Sequence, residues 1–177
     1  AGLGALAVCR GIEAMCGLQA EIKWPNDVLL DRKKVCGVLA EAHWLGDQLQ
    51  AIVLGIGVNV RPEAVPPEDG LNFTATSVDQ NCGRTIERLP LMREILLTVL
   101  KWWPLVWRAS FLEVWEERLA YRGEAVVLLA GSEQHHQGRL KGLDSRGRLV
   151  LVADDGEEAA FQAGEIHLRP LVDRGAK

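Results

Sequence analysis

Several of the usual functional handles are missing from this chain. It has no strong excess of one charge: 20 Lys and Arg against 24 Asp and Glu leave a formal net charge of -4, too little of either sign to draw in nucleic acid or an anionic membrane. It has no C-x-x-C pair. Cys9, Cys16, Cys36 and Cys82 are scattered, three of them inside apolar runs, a pattern of buried free thiols in a reducing compartment and not of a disulfide framework. No signal peptide is recognisable and no apolar run is long enough to cross a bilayer, so the cytoplasm is the expected location. G-x-S-x-G, H-E-x-x-H and the G-x-x-x-x-G-K phosphate loop are absent, which excludes the devices those patterns serve.

What is present is enough apolar residue for a real core. With 177 residues, 48% of them hydrophobic, the chain suits one ordinary domain, or a medium domain with a small appendix. Ala5, Val8, Cys9, Ile12, Met15 and Cys16 recur at helical spacing, and Gly17 stands where a left-handed C-cap would end the helix. Strands are expected at residues 20–24, 28–30, 35–44 and 49–60, joined by short hairpins at 31–33 and 45–47. Residues 61–85 gather Pro62, Pro66, Pro67 and Gly70, the composition of a long loop with a functional role or none of its own order. Within it Ser77 is placed to cap a short helical turn.

Leu89, Met92, Leu96, Val99, Trp103 and Val106 predict a helix from Arg88 with those residues inward. Pro104 predicts a break near Trp103, followed by a second helix over 109–119. Trp102, Trp103, Trp107 and Trp115 are expected in the core, because no basic residues interleave with them as a stacking platform would need. After Gly123 the period changes to that of short strands at 125–129, 138–143, 149–152 and 159–162, a small curved β-unit of about fifty residues. His135 and His136 fall in an expected polar turn with no third ligand at metal-site spacing.

Two stretches carry more than a fold requires. In Lys23-Trp24-Pro25-Asn26-Asp27 a rigid turn sets a lysine at a strand end. In Gly55-Ile56-Gly57-Val58-Asn59-Val60 two glycines interrupt an apolar strand, which weakens it unless something approaches the backbone closely. A lysine at a strand end also has a plain reading as a snorkelling surface side chain. In a concave, partly dry site, however, a fixed ammonium holds a carboxylate and a phosphate together and neutralises the reacting oxygens.

In order along the chain, Lys23-Trp24-Pro25-Asn26-Asp27, Lys34-Val35-Cys36-Gly37-Val38-Leu39-Ala40-Glu41, Gly55-Ile56-Gly57-Val58-Asn59-Val60, Ala75-Thr76-Ser77-Val78 and residues 123–127, 138–144 and 164–170 resemble the signature of the biotin protein ligases, the biotin-[acetyl-CoA-carboxylase] ligase family. The resemblance covers nearly the whole chain. It implies an α+β fold: a mixed or antiparallel sheet with packed helices over residues 1–120, being an incomplete class II synthetase-like catalytic domain, and a small SH3-like β-barrel over 121–177. It implies biotin and ATP as substrates, with Mg2+, and formation of biotinyl-5′-AMP. The biotinyl group then passes to one lysine of a biotin carboxyl carrier domain of a carboxylase.

By the same resemblance Lys23 is the catalytic lysine, touching the biotin carboxylate and the α-phosphate. Gly37, Gly55 and Gly57 line the biotin site. Asn26, Lys34, Asn59 and Arg169 lie near the nucleotide, with Arg169 reaching from the small barrel toward the phosphates. No residue is assigned to a metal. The loop after Val60 corresponds to the segment that orders over the adenylate, and edge-to-edge homodimers are familiar in the family.

Two family features have no counterpart: the Gly-Arg-rich biotin loop with its neighbouring strands, and a winged-helix DNA-binding segment. The chain also begins Ala-Gly-Leu-Gly, directly in helical periodicity. A fragment of a longer product, weakly active or inactive alone and with no nucleic-acid binding of its own, is the expectation. A non-catalytic biotin- or adenylate-binding module and a lipoate- or octanoyl-transfer relative are the alternative readings.

Overall fold

The helical period at the start of the chain becomes α1 (Gly2–Cys16), which ends where Gly17 adopts φ 69 and donates its N–H to Glu13 O at 2.8 Å. The computed structural model describes residues 1–67, 74–130, 134–162 and 166–170. Leu6, Val8 and Ile12 of α1 are fully buried, each such side chain contributing about 1.5–3 kcal/mol. Small residues let the helix pack closely on both sides. A Cβ on Gly4 would meet Val38 at 2.8 Å, and one on Gly11 would meet Ile95 at 2.8 Å. The helix is therefore a middle layer, with a sheet on one side and a second helix on the other.

That sheet runs β1 (Glu21–Lys23), β2 (Asp27–Leu30), β3 (Lys33–Leu45) and β4 (Gln48–Val58), antiparallel throughout and in sequence order. The β2–β3 hairpin turns on Asp31 and Arg32, both with positive φ (47° and 62°). A 3₁₀ turn (Pro62–Ala64) follows β4, then α2 (Val78–Cys82), capped at Ser77 by reciprocal hydrogen bonds with Gln80 as expected. Then come α3 (Arg88–Trp102), a 3₁₀ turn (Trp103–Leu105) at Pro104, and α4 (Ala109–Glu116). No described helix is long and apolar enough to cross a membrane.

The C-terminal β-domain holds β5 (Ala125–Ala130), β6 (Gln134–Leu143), β7 (Leu149–Val152), β8 (Glu158–Phe161) and β9 (Ile166–Pro170), in the order β8-β7-β6-β5-β9 and antiparallel. Its core of Val126, Leu128, Leu140 and Leu149 also takes in Trp24 and Leu29 from the first sheet. Arg32 ties the two parts at the surface: its guanidinium meets Glu124 at 2.6 Å and Glu21 at 3.7 Å, and stacks over the Tyr121 ring at 4.8 Å.

Some expectations are corrected. In α3 the buried residues are Leu91 and Ile95, while Leu89, Met92 and Leu96 are exposed. The helix carries apolar residues on two faces, and the close approach allowed by Gly11 of α1 decides which one goes inward. Of the four clustered tryptophans, Trp102 and Trp115 flank Phe111 at centroid distances of 6.2 and 6.0 Å. Trp103 and Trp107 are exposed instead, at 55% and 92%, because the chain leaves the helix at Pro104 and turns them away from the core. His135 and His136 lie in strand β6, not a turn, with the His136 ring 4.7 Å from that of Phe161. Strand β9 adds a fifth member to the second sheet, and α4 stops three residues short of the expected end. The turn residues 131–133 lie outside the described residues, as do 164–165 at the start of the last motif.

Candidate functional site

Strand register builds the site. Lys23 pairs with Asp27, Asp27 with Gly37, and Gly37 with Gly57. Directly paired residues in antiparallel strands share a face, so one row crosses all four strands: a cation, a carboxylate and two bare backbones. The next row, Ile22, Val28, Cys36 and Val58, is apolar and packs beneath the sheet in the core with α1. With strands about 4.8 Å apart, the first row spans about 14 Å.

The turn that makes this possible is Trp24-Pro25-Asn26, with a cis Trp24–Pro25 peptide bond. Asn26 clamps the turn to β3 in both directions, its O accepting from Val38 N–H and its Nδ2 donating to Val38 O, each at 2.9 Å. The side-chain amide donor of Asn26 is therefore engaged within the protein.

Asp27 is shared. Its Oδ1 lies 2.5 Å from Lys34 Nζ and its Oδ2 lies 3.6 Å from Lys23 Nζ. All three side chains are mostly withdrawn from water, at 16%, 12% and 24% exposure for Lys23, Asp27 and Lys34. Two ammoniums thus flank one carboxylate, and low solvent access strengthens the interactions among these charges. Sequence reasoning treated Asp27 as turn chemistry only. The signal that could have found it is the Lys-to-Asp spacing of four across a turn, which sets the two opposite each other.

Gly37, Gly55 and Gly57 lie on the same face, because Gly55 pairs with Leu39 two residues along from Gly37. Internal packing does not require them to lack side chains. A Cβ at Gly55 or Gly57 would find its nearest neighbours at 3.8 Å, and one at Gly37 would meet Lys34 at 3.4 Å. The space above them is open to a ligand.

Beside this row is a cavity of about 220 Å³ lined by Lys34, Cys36, Gly37, Asn59, Pro66 and Ala75. It is smaller than a typical whole-ligand pocket of about 300–1,000 Å³, and suits one part of a ligand laid along the row. Its far wall is formed by Pro66 and Ala75, from the segment that follows β4. Thr74 O accepts from Lys34 N–H and Thr76 N–H donates to Lys34 O, both at 2.9 Å. Asn59 holds the same segment, its Nδ2 donating to Thr76 O at 3.2 Å and its O accepting from Val78 N–H at 2.8 Å. Residues 68–73 of that loop lie outside the described residues.

The Cys36 thiol is no nucleophile here. Burial, and next the neighbouring Asp27 charge, push it from 9.0 up to about 12, so the reactive thiolate is scarce at neutral pH. Among the described residues, no group of three or more His, Cys, Asp or Glu is arranged to hold a metal ion. The structure thus brings Lys23, Asp27, Lys34, Gly37, Gly55, Gly57 and Asn59 to one face and one cavity. Arg169 joins β9 to β5 through its backbone pairing with Val127; its side chain lies outside the described residues.

Residues 3–59 match the Biotin/lipoate A/B protein ligase family, and residues 122–169 match the Biotin protein ligase C terminal domain. The bifunctional ligase/repressor BirA of Bacillus spizizenii is 32% identical over 164 residues, covering 91% of this chain and 50% of the relative. The biotin-[acetyl-CoA-carboxylase] ligase of Paracoccus denitrificans is 31% identical over 163 residues, covering 88% and 67%. Among solved structures, the biotin protein ligase of Aquifex aeolicus in complex with biotin and ATP superposes with a TM-score of 0.79 at 30% identity, covering 96% of this chain and 70% of that one. The chain thus spans about half the length of the curated BirA relative it matches.

Proposed function

Because this chain belongs to the biotin protein ligase family, we propose that it activates biotin with ATP and passes the biotinyl group to a lysine of a carboxylase's biotin carboxyl carrier domain. The observation that carries this reading is the row Lys23, Asp27, Gly37 and Gly57: a cation beside open backbone on one sheet face. A biotin carboxylate oxygen attacks the α-phosphorus of ATP, the bond to the β-phosphate oxygen breaks, and pyrophosphate leaves. The carrier lysine's neutral amine then attacks the acyl carbon, and AMP departs with the former carboxylate oxygen.

In the first step two anionic groups must come within bonding distance. Lys23 lies between them and offsets their repulsion, and an ammonium already fixed in place needs no reorganisation as charge builds. Asp27 keeps both Lys23 and Lys34 oriented. Gly37, Gly55 and Gly57 give biotin a backbone floor, and the cavity between Lys34 and Asn59 receives part of the nucleotide. Mg2+ comes with the nucleotide phosphates, and no residue of this chain is assigned to it. Arg169 is proposed to reach those phosphates from the C-terminal domain.

Once formed, the mixed anhydride is sensitive to water, and the loop of residues 61–77 is proposed to cover it. Pro66 and Ala75, on its two described arms, line the cavity wall, which supports that role. The division into residues 1–120 and 121–177, a cytoplasmic location and edge-to-edge dimerisation belong to the same proposal. Weak turnover by these 177 residues alone is part of the same proposal.

The test supplies biotin, MgATP and a carrier domain and reads the carrier's intact mass. The expected result is one biotinyl addition, lost in Lys23→Ala. Addition of lipoate or octanoate in preference to biotin would replace this reading by the acyl-transfer one. Biotin binding without carrier modification, in a polypeptide of the relatives' full length, would replace it by the binding module.

A further inference from the structure

Both chain neighbours of Lys23 are held by residues far along the chain. On one side, Ile22 N–H donates to Arg118 O at 2.6 Å and Ile22 O accepts from Ala120 N–H at 2.9 Å, so residues 118–120 run alongside β1 through the Ile22–Leu119 bridge. On the other side is Trp24, 1% exposed. Its indole does not pack in the core beneath its own sheet; it joins the β-domain core with Val126, Leu128, Leu140 and Leu149.

The indole is also anchored in direction. Its Nε1–H donates to Gly147 O at 3.3 Å, 123 residues away. Gly147 is itself fixed at φ 74, in the turn between β6 and β7 that Asp144 closes by accepting from Arg146 N–H and Arg148 N–H. Side chains alternate along a strand, so Lys23 points to the ligand face while Ile22 is held through its backbone at the edge of β1 and Trp24 through its indole. A shift of the β-domain against the first sheet therefore reaches the Lys23 backbone through Trp24, one peptide unit away.

We propose that Trp24 is a positioning residue, through which the C-terminal β-domain sets where the Lys23 ammonium stands over the ligand face. This rests on the ligase reading for its kinetic consequence, but not for its geometry. A purely structural Trp24 would affect activity only in proportion to lost stability. A positioning Trp24 would affect Lys23 more than its cost in stability explains.

The test compares Trp24→Phe, which keeps an aromatic ring but cannot donate to Gly147, with Leu128→Ala, a fully buried change in the same core; Trp24→Tyr serves as a second conservative variant. Lys23 is read by its rate of acetylation with an activated acetate ester, followed by peptide mass spectrometry, with exposed Lys101 as internal reference. The expected result is a change in Lys23 reactivity in the Trp24 variants that Leu128→Ala does not reproduce at a comparable loss of melting temperature. In a form that turns over, kcat for biotin-dependent ATP–pyrophosphate exchange falls by about 10- to 100-fold while KM for biotin stays within about threefold. Lys23 reactivity unchanged in both Trp24 variants, or all three variants on one line of activity against stability, would overturn the proposal. A shifted Lys23 in a protein whose full-length wild type shows no exchange would leave the positioning intact and remove the ligase reading.

Discussion

Gly37 and Gly57 stand directly opposite each other in the β3–β4 ladder, so the middle of the ligand face has no side chain on either strand. A Cβ on Gly57 finds nothing nearer than the Gly37 carbonyl oxygen at 3.8 Å. Gly57→Val is therefore expected to fold with stability unchanged or higher by up to about 1 kcal/mol, since β-branched residues suit strands. Biotin affinity is expected to fall at least about tenfold, as a methyl pair would occupy the floor the ligand needs. Calorimetric titration beside a thermal melt checks both, and a destabilised variant that binds normally would contradict the account.

Removing the shared carboxylate should be felt by both lysines. Asp27→Asn leaves the ammoniums of Lys23 and Lys34 without the charge they flank. A loss of about 1–3 kcal/mol is expected from urea denaturation, below the cost of a fully buried pair because both lysines keep some water. Adenylation in an active form should fall as well, and added salt should recover part of the stability.

Arg32 sets a backbone cost against side-chain contacts. It takes φ 62, a left-handed conformation costing an ordinary residue about 1–2 kcal/mol, while its side chain reaches Glu124 and Tyr121. Arg32→Ala loses the contacts and retains the strain; Arg32→Gly loses the contacts and relieves it. The alanine variant is expected to be the less stable of the two by about 1 kcal/mol. Denaturant midpoints in that order support backbone strain at the turn, and the reverse order argues against it.

What was legible in the sequence was mostly local. Gly17, the turn at Pro25, the Ser77 cap and the break at Pro104 each act within a few residues, and each occurs where its chemistry requires. The motifs around Lys23 and Gly55 fall on one sheet face. What was not legible depends on distant partners. No period along α3 could choose between its two apolar faces, because Gly11 of α1 makes that choice. Asp27 looked like a turn residue until register set it between two lysines, and Trp24 looked like part of a motif until its indole was seen in the core of the other domain.

Buried thiols give the fold an alkaline limit. Burial pushes Cys9 and Cys36 from 9.0 to about 12. Between those values the unfolded chain releases protons that the folded chain retains, so stability is fully present below pH 9 and falls as pH rises toward 12. The slope is up to about 1.4 kcal/mol per pH unit for each thiol. Urea midpoints from pH 8 to about 10.5 are expected to decline, and less steeply in Cys36→Ala. A flat profile would contradict the buried placement of these groups.

The central claim is that the row from Lys23 to Gly57 is the seat of the acyl-adenylate. Its most direct test is calorimetric binding of a non-hydrolysable sulfamoyl analogue of biotinyl-5′-adenylate, which needs no turnover. The wild-type chain is expected to bind it, and Lys23→Ala and Gly57→Val each to lose at least about tenfold, one through the lost charge and the other through the filled floor. Equal affinity across all three proteins would contradict the account.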